Sequence, residues 1–218
     1  AGRTAAVAPA VLRIVRVVTQ PDRPKGPGRK STPTAVRVAA ERLGLAVDAA
    51  AKIRTPEFRA SLAALNLDLA VVIAYGRILP ADLLSMPRLG FVNLHASLLP
   101  KYRGAAPIQW AIARAETQTG GTLMQVDAGL DTGAILATRT VDIAPDEDAA
   151  SLHDRLAQLS ASLMLESLEP LGRRALASTP QDNAAATFAP PLTKRDGRID
   201  WGRTAAEIVN HVRAFHVW

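Results

Sequence analysis

A chain of 218 residues, 48% of them hydrophobic, has room for one substantial domain and the beginning of a second. It has no cysteine, which excludes disulfides, thiolate zinc sites and a cysteine nucleophile, and no apolar run long enough to span a bilayer. The net charge of +6 is concentrated at the start, where residues 1–60 hold 12 Lys/Arg against 4 Asp/Glu, so a polyanionic partner would dock there first.

Short apolar runs alternate with amphipathic stretches, the pattern of an α/β protein. Val15–Thr19 reads as a strand ending in the turn-rich segment Gln20–Lys30. A helix is predicted to begin near Ser31-Thr32-Pro33, to carry Val36, Ala39, Ala40 and Leu43 on one side, and to stop at Gly44. Thr55-Pro56-Glu57 opens a second helix with Phe58, Leu62 and Leu65 inward. Leu69–Ala74 is continuously apolar, as expected of a central parallel strand covered on both faces. Pro80–Met86 reads as a short helix, Gly90–His95 as a buried strand and Pro107–Glu116 as a helix. Gly121–Val126 and Ala134–Val141 read as strands joined by the loop Asp127–Gly133. Ala149–Leu171 is a long helix with Leu152, Leu156, Leu159, Leu163 and Leu168 inward. Residues 176–191, rich in Ala, Ser, Thr and Pro, read as a linker or loose loop. Thr204-Ala-Ala-Glu207 is a capping box for a last helix with Ile208, Val212 and Phe215 inward. The first residue is Ala1 and the last is Trp218, so a piece of a longer chain is expected.

Chemistry concentrates in two segments. Asn93-Leu94-His95-Ala96-Ser97-Leu98-Leu99-Pro100 begins at the C-terminal end of a buried strand, where open α/β sheets place ligands. Asn93 and His95 share a strand face, so an amide donor for an oxyanion and a proton-exchanging imidazole can converge on one small substrate. In Asp127-Ala-Gly-Leu-Asp131-Thr-Gly133, Asp127 reads best as a turn residue. Asp131 could orient His95 if this loop folds over the His95 end of the sheet. One His and scattered Asp residues lack a metal-ligand spacing, and no metal is expected. The remaining histidines, His153, His211 and His216, read as structural or surface residues.

The stretch NLHASLLPKYRGAAPIQWAI followed by TGGTLMQVDAGLDTGAIL resembles the signature of the formyltetrahydrofolate-dependent formyltransferases, and the resemblance runs from about Val15 to Trp218. It implies a Rossmann-like, mostly parallel sheet flanked by helices. It also implies a catalytic domain at 1–175, with 176–218 as linker and helix leading toward a C-terminal β-barrel domain that this chain lacks. It implies Asn93, His95 and Asp131 as the catalytic set. The donor, 10-formyltetrahydrofolate, would meet Ser97, Leu98, Leu99 and Pro100, with Ile73, Tyr75, Gly76, Asp127 and Gly129 as further walls. The segments RGAAPIQW, GLDTG, VVTQPDRPKGPGRK, VVIAYGRILP and RIDW resemble the branch whose acceptor is methionyl initiator tRNA. That partner would be held by Arg23, Lys25, Arg29 and Lys30; many members place Arg where this chain has Pro27. A monomeric, cytoplasmic enzyme without a membrane partner is expected. An amino-sugar nucleotide as acceptor, or hydrolysis of the donor by water, are the alternatives.

Overall fold

The computed structural model describes residues 12–25 and 30–217. They form two compact units, one within Ala1–Asp68 and Ala74–Arg88, the other comprising Leu69–Ile73 and Leu89–Trp218.

In the first unit, β1 (Val17–Val18) and β4 (Val47–Asp48) pair in parallel. Between them β2 (Arg23–Lys25) and β3 (Lys30–Thr32) pair antiparallel, so the segment expected as a loop is a hairpin. Its backbone groups find partners across the ladder, which the Pro- and Gly-rich composition conceals. With Ser31 and Thr32 taken into β3, the first helix starts later than expected: α1 spans Ala35–Arg42, and the Thr34 side chain accepts from Arg37 N at 3.1 Å. Of the four residues expected inward, only Ala40 is buried; Val36 and Leu43 are exposed. An eight-residue helix resting on the two-residue β4 has little surface to cover it. The Gly44 stop stands, at φ +67°. α2 (Pro56–Ala63) is capped by Thr55 with Pro in its first turn and buries Leu62. α3 (Ala81–Leu84) buries Leu83.

The second unit holds β5 (Ala70–Val72), β6 (Phe91–His95), β7 (Arg103–Gly104) and α4 (Pro107–Ala113). There follow β8 (Gln118–Gln125), β9 (Ile135–Asp142), α5 (Ala149–Gly172), β10 (Phe188–Ala189) and α6 (Ala205–Phe215). The sheet order is β5-β6-β8-β9, parallel at β5/β6 and antiparallel at the other two pairings. β5 is an edge strand among the described residues, and Val71 and Ile73 are exposed; the expectation of cover on both faces fails there.

α5 joins two apolar clusters. Leu152 and Leu156 pack with Ile108, Ala111 and Ile112 of α4 and Ala214 and Phe215 of α6. Leu163, Met164 and Leu171 pack with Val92 and Leu94 of β6 and Leu123 of β8. Because strand side chains alternate, placing Val92 and Leu94 under α5 directs Asn93 and His95 to the opposite face. The capping box of α6 forms as the sequence predicts, but Val212 is exposed and Ala214 takes the inward place.

Residues 176–191 run along this unit. Thr179 and Ile135 exchange backbone hydrogen bonds, and β10 pairs in parallel with β7. Such a segment has no apolar period to read, because backbone pairing and single polar side chains hold it.

Leu156 is 1% exposed at the centre of the first cluster. Leu156→Ala is expected to cost about 2–5 kcal/mol, read as a lowered urea midpoint at unchanged m-value.

Candidate active site

β6 is flanked by β5 and β8, with Asn93 opposite Met124 and His95 opposite Thr122. Asn93 is half-buried, and among the described residues its side-chain amide makes no hydrogen bond, so its donors remain available. His95 is buried, and its Nε2 lies 2.8 Å from the Tyr102 carbonyl oxygen. A carbonyl can only accept, so Nε2 carries a proton. Nδ1 is turned toward Asp131, at 3.7 Å from Oδ2. The loop after β8 therefore does fold back over the His95 end of the sheet.

The turn after β6 builds both supports of this pair. Ser97 is fully buried and its hydroxyl donates to the Lys101 carbonyl at 2.6 Å. Thr122 donates to the Ser97 carbonyl and accepts from Leu99 N, and Leu99 is buried. Leu98 and Pro100 are half-buried. The turn then presents the Tyr102 carbonyl to His95 and the Gly104 N–H to Asp131 Oδ2, the latter at 2.9 Å. Gly104 sits at φ +120°, and a Cβ there would lie 2.6 Å from the Ala189 carbonyl oxygen, so only glycine fits. Tyr102 and Asp131 also have left-handed backbones, at φ 60° and 52°, a strain of about 1–2 kcal/mol per residue for L-residues. The Tyr102 hydroxyl donates to Glu116 at 2.8 Å, and burial, reinforced by that carboxylate, pushes it up to about 12.

Asp127 accepts from Gly129 N and from the Thr132 hydroxyl, the turn role that its position suggested. A Cβ at Gly129 would collide with the Thr132 side chain, so this glycine permits the turn. Leu130, at the loop tip, is 58% exposed. Ile73 follows β5 and is exposed. Tyr75 and Gly76 belong to the first unit: the Tyr75 carbonyl accepts from Gln20, and its buried hydroxyl has no partner among the described residues. Burial raises that hydroxyl above its ordinary pKa. Gly76 turns the chain at φ +72°. The backbones of Arg23, Lys25 and Lys30 form the hairpin, with Lys25 opposite Lys30, while Arg29 lies outside the described residues. A cleft of about 450 Å³ in the first unit, lined by residues 51–55, Arg77 and Ile78, contains none of the nominated residues. Among the described residues there is no cluster of metal-ligating side chains, and no helix is long and apolar enough to cross a membrane.

Four residues of the site have no individual mark in the sequence. Tyr102, Arg103 and Gly104 lie inside a motif that is legible as a block, but their separate duties depend on which backbone atoms they present. Arg103 is 4% exposed, and its guanidinium donates to the side-chain oxygens of Gln181 and Asn183. Gln181 in turn donates to the carbonyls of Asp131 and Gly133, at 2.9 and 2.7 Å. It lies 50 residues beyond Asp131 in a stretch that reads as linker.

Comparison with known proteins identifies the family. The formyl transferase family model matches residues 6–168, and the model of the formyl transferase C-terminal domain matches 191–218. Methionyl-tRNA formyltransferase of Geobacter metallireducens is 52% identical over 205 residues, 94% of this chain and 66% of its own length. Its counterpart in Desulfotalea psychrophila is 51% identical over 206 residues, 94% of this chain and 64% of its own. The chain thus spans just under two thirds of the length of these relatives. Among solved structures, a sugar N-formyltransferase from a Shewanella species superposes with a TM-score of 0.69 at 20% identity, covering 81% of this chain and 70% of that one. An N-formyltransferase from Helicobacter canadensis, in complex with folinic acid and dTDP-3-aminofucose, superposes at 0.68 and 21% identity, covering 90% and 68%. At that identity these likenesses speak for the fold, which is the Rossmann-like α/β fold of formyltransferases. By its matched family model and its relatives, this chain belongs to the formyl transferase family.

Proposed function

We propose that the chain transfers the formyl group of 10-formyltetrahydrofolate to the α-amine of methionyl initiator tRNA, for translation initiation. The observation that carries the chemistry is Asp131 returning to within 3.7 Å of His95, beside the unpartnered amide of Asn93. Relatives named methionyl-tRNA formyltransferase support the choice of acceptor.

In this reading the amine attacks the formyl carbon and a tetrahedral oxyanion forms. Asn93 donates to that oxygen through its side-chain amide. The Nε2 proton of His95 is held by the Tyr102 carbonyl, so the imidazole acts through Nδ1, the nitrogen on the Asp131 side. Nδ1–H donates to the oxyanion, and Asp131 compensates the positive charge on the ring. The new N–C bond persists, the bond from carbon to N10 breaks, and a proton passes from the amine to N10 through water held by these groups. No covalent intermediate is needed, since the Ser97 hydroxyl already donates to the Lys101 carbonyl and bonds to no base among the described residues.

The donor is a substrate, and the strand-end loops suit a flat apolar ring with polar edges. Leu98, Pro100 and the exposed Ile73 offer apolar surface, with Asp127 and Gly129 as the remaining walls in this unit. Ser97 and Leu99 serve it by fixing the loop. The acceptor stem meets the hairpin cations Arg23, Lys25, Arg29 and Lys30. In the same unit Lys52, Arg54 and Arg77 have no carboxylate partner among the described residues, which favours an anionic ligand there. Residues 191–218 open the C-terminal domain that follows the catalytic one, in a monomeric cytoplasmic enzyme.

Asn93→Ala and His95→Ala are each expected to lower kcat by about 100- to 1,000-fold with donor affinity nearly unchanged, measured as formyl-methionine on initiator tRNA. Formate release, or formylation of an amino-sugar nucleotide in place of tRNA, would keep the donor and overturn the acceptor. Charge reversal at Arg23 and Lys30 is expected to raise the KM for tRNA about tenfold and to flatten its salt dependence by about one unit of slope per lost phosphate contact. Donor binding should be unaffected, and the opposite pattern would refute the hairpin as the tRNA contact.

A further inference from the structure

We propose that Gln181 is a positioning residue for formyl transfer, whose side-chain amide fixes the backbone of residues 131–133 so that the Asp131 carboxylate faces His95. The inference rests on His95 and Asp131 being the catalytic pair.

All the polar capacity of this amide is engaged in one orientation. Its oxygen accepts from Arg103 Nε at 3.0 Å and Nη2 at 2.7 Å, and its nitrogen donates to the Asp131 and Gly133 carbonyls. A guanidinium can only donate and a carbonyl can only accept, so the amide cannot flip. Arg103 is itself buried and holds the Gln181 oxygen through both Nε and Nη2, while Asn183 accepts only one further bond from Nη2. Asp131 is therefore gripped twice: its carboxylate by Gly104 N–H and its carbonyl by Gln181. Two grips are what a non-glycine residue at φ 52° needs to stay in that conformation. Gly133 lies close against β8, since a Cβ there would collide with the Gln125 carbonyl. The neighbouring Asn183 supplies a built-in comparison, because it touches Arg103 on the same segment and makes no bond to Asp131.

The experiment compares Gln181→Met, Gln181→Glu and Asn183→Ala in the full-length enzyme. Gln181→Met removes both sides of the bridge. Gln181→Glu keeps Arg103 paired with a carboxylate and replaces the two donors to the loop by an oxygen that repels both carbonyls, so it remains informative should the Met variant fold poorly. Both Gln181 variants are expected to lower kcat about tenfold or more, since a displacement near 1 Å can cost that much, with the KM for the donor within about twofold of wild type. The Gly104 amide, which donates to Asp131, is expected to lose hydrogen-exchange protection in both and to keep it in Asn183→Ala, whose kcat should stay within about twofold. Wild-type kcat in Gln181→Glu would overturn the proposal. So would an equal loss in Asn183→Ala, since the bridge would then only stabilise the fold. If the wild-type enzyme fails to formylate methionyl-tRNA, the acceptor is wrong, and the Gly104 exchange comparison still decides the role of Gln181.

Discussion

The site depends on where one carboxylate is held. Asp131 lies on a loop between two antiparallel strands, and its backbone is in a region that L-residues leave unless something fixes them. The Gly104 N–H fixes its side chain and Gln181 fixes its carbonyl. The same turn that supplies Gly104 also supplies the Tyr102 carbonyl, which holds the other side of His95. Three residues of one tight turn thus set the protonated nitrogen of the imidazole, the position of its carboxylate partner and, through Arg103, the bridge behind that partner.

The core and the site are two faces of one strand. Val92 and Leu94 sit under α5, and α5 is held by the clusters that continue into α4 and α6. Burial of those residues stabilises the second unit by the ordinary hydrophobic effect. It also fixes the register of β6, since a slip of one residue would turn Asn93 and His95 toward α5 and take Val92 and Leu94 away from it. Placement of the candidate site is a by-product of apolar packing. The basic hairpin belongs to the first unit, where its two short strands pair antiparallel.

The departures from sequence-based expectation have local causes. The first helix begins two to four residues later than its Ser-Thr-Pro signal because a hairpin strand uses those residues, and Thr34 offers the same hydroxyl chemistry further on. β5 is as apolar as a central strand but lies at a sheet edge among the described residues, so Val71 is exposed; composition does not encode position in the sheet. Residues 176–191 lack period and apolar face, which made them look like a linker. Their work is done by backbone pairing with Ile135 and β7 and by polar side chains, among them Gln181, Asn183 and Thr187.

The sequence by itself determined the α/β alternation, the caps at Thr55 and Thr204, the long helix with its leucine stripe, and the catalytic candidates Asn93, His95 and Asp131. These depend on interactions within a few residues, or on motifs whose residues are contiguous in the chain. Only the tertiary structure decided that Asp131 reaches His95, that Ser97 closes its own turn, that Nε2 is the nitrogen bound to the fold, and that Gln181 stands behind the site. Each of these joins atoms distant in sequence or depends on the direction of a backbone N–H or carbonyl. Such directions arise from packing of the whole unit and leave no mark on the identity of any single residue.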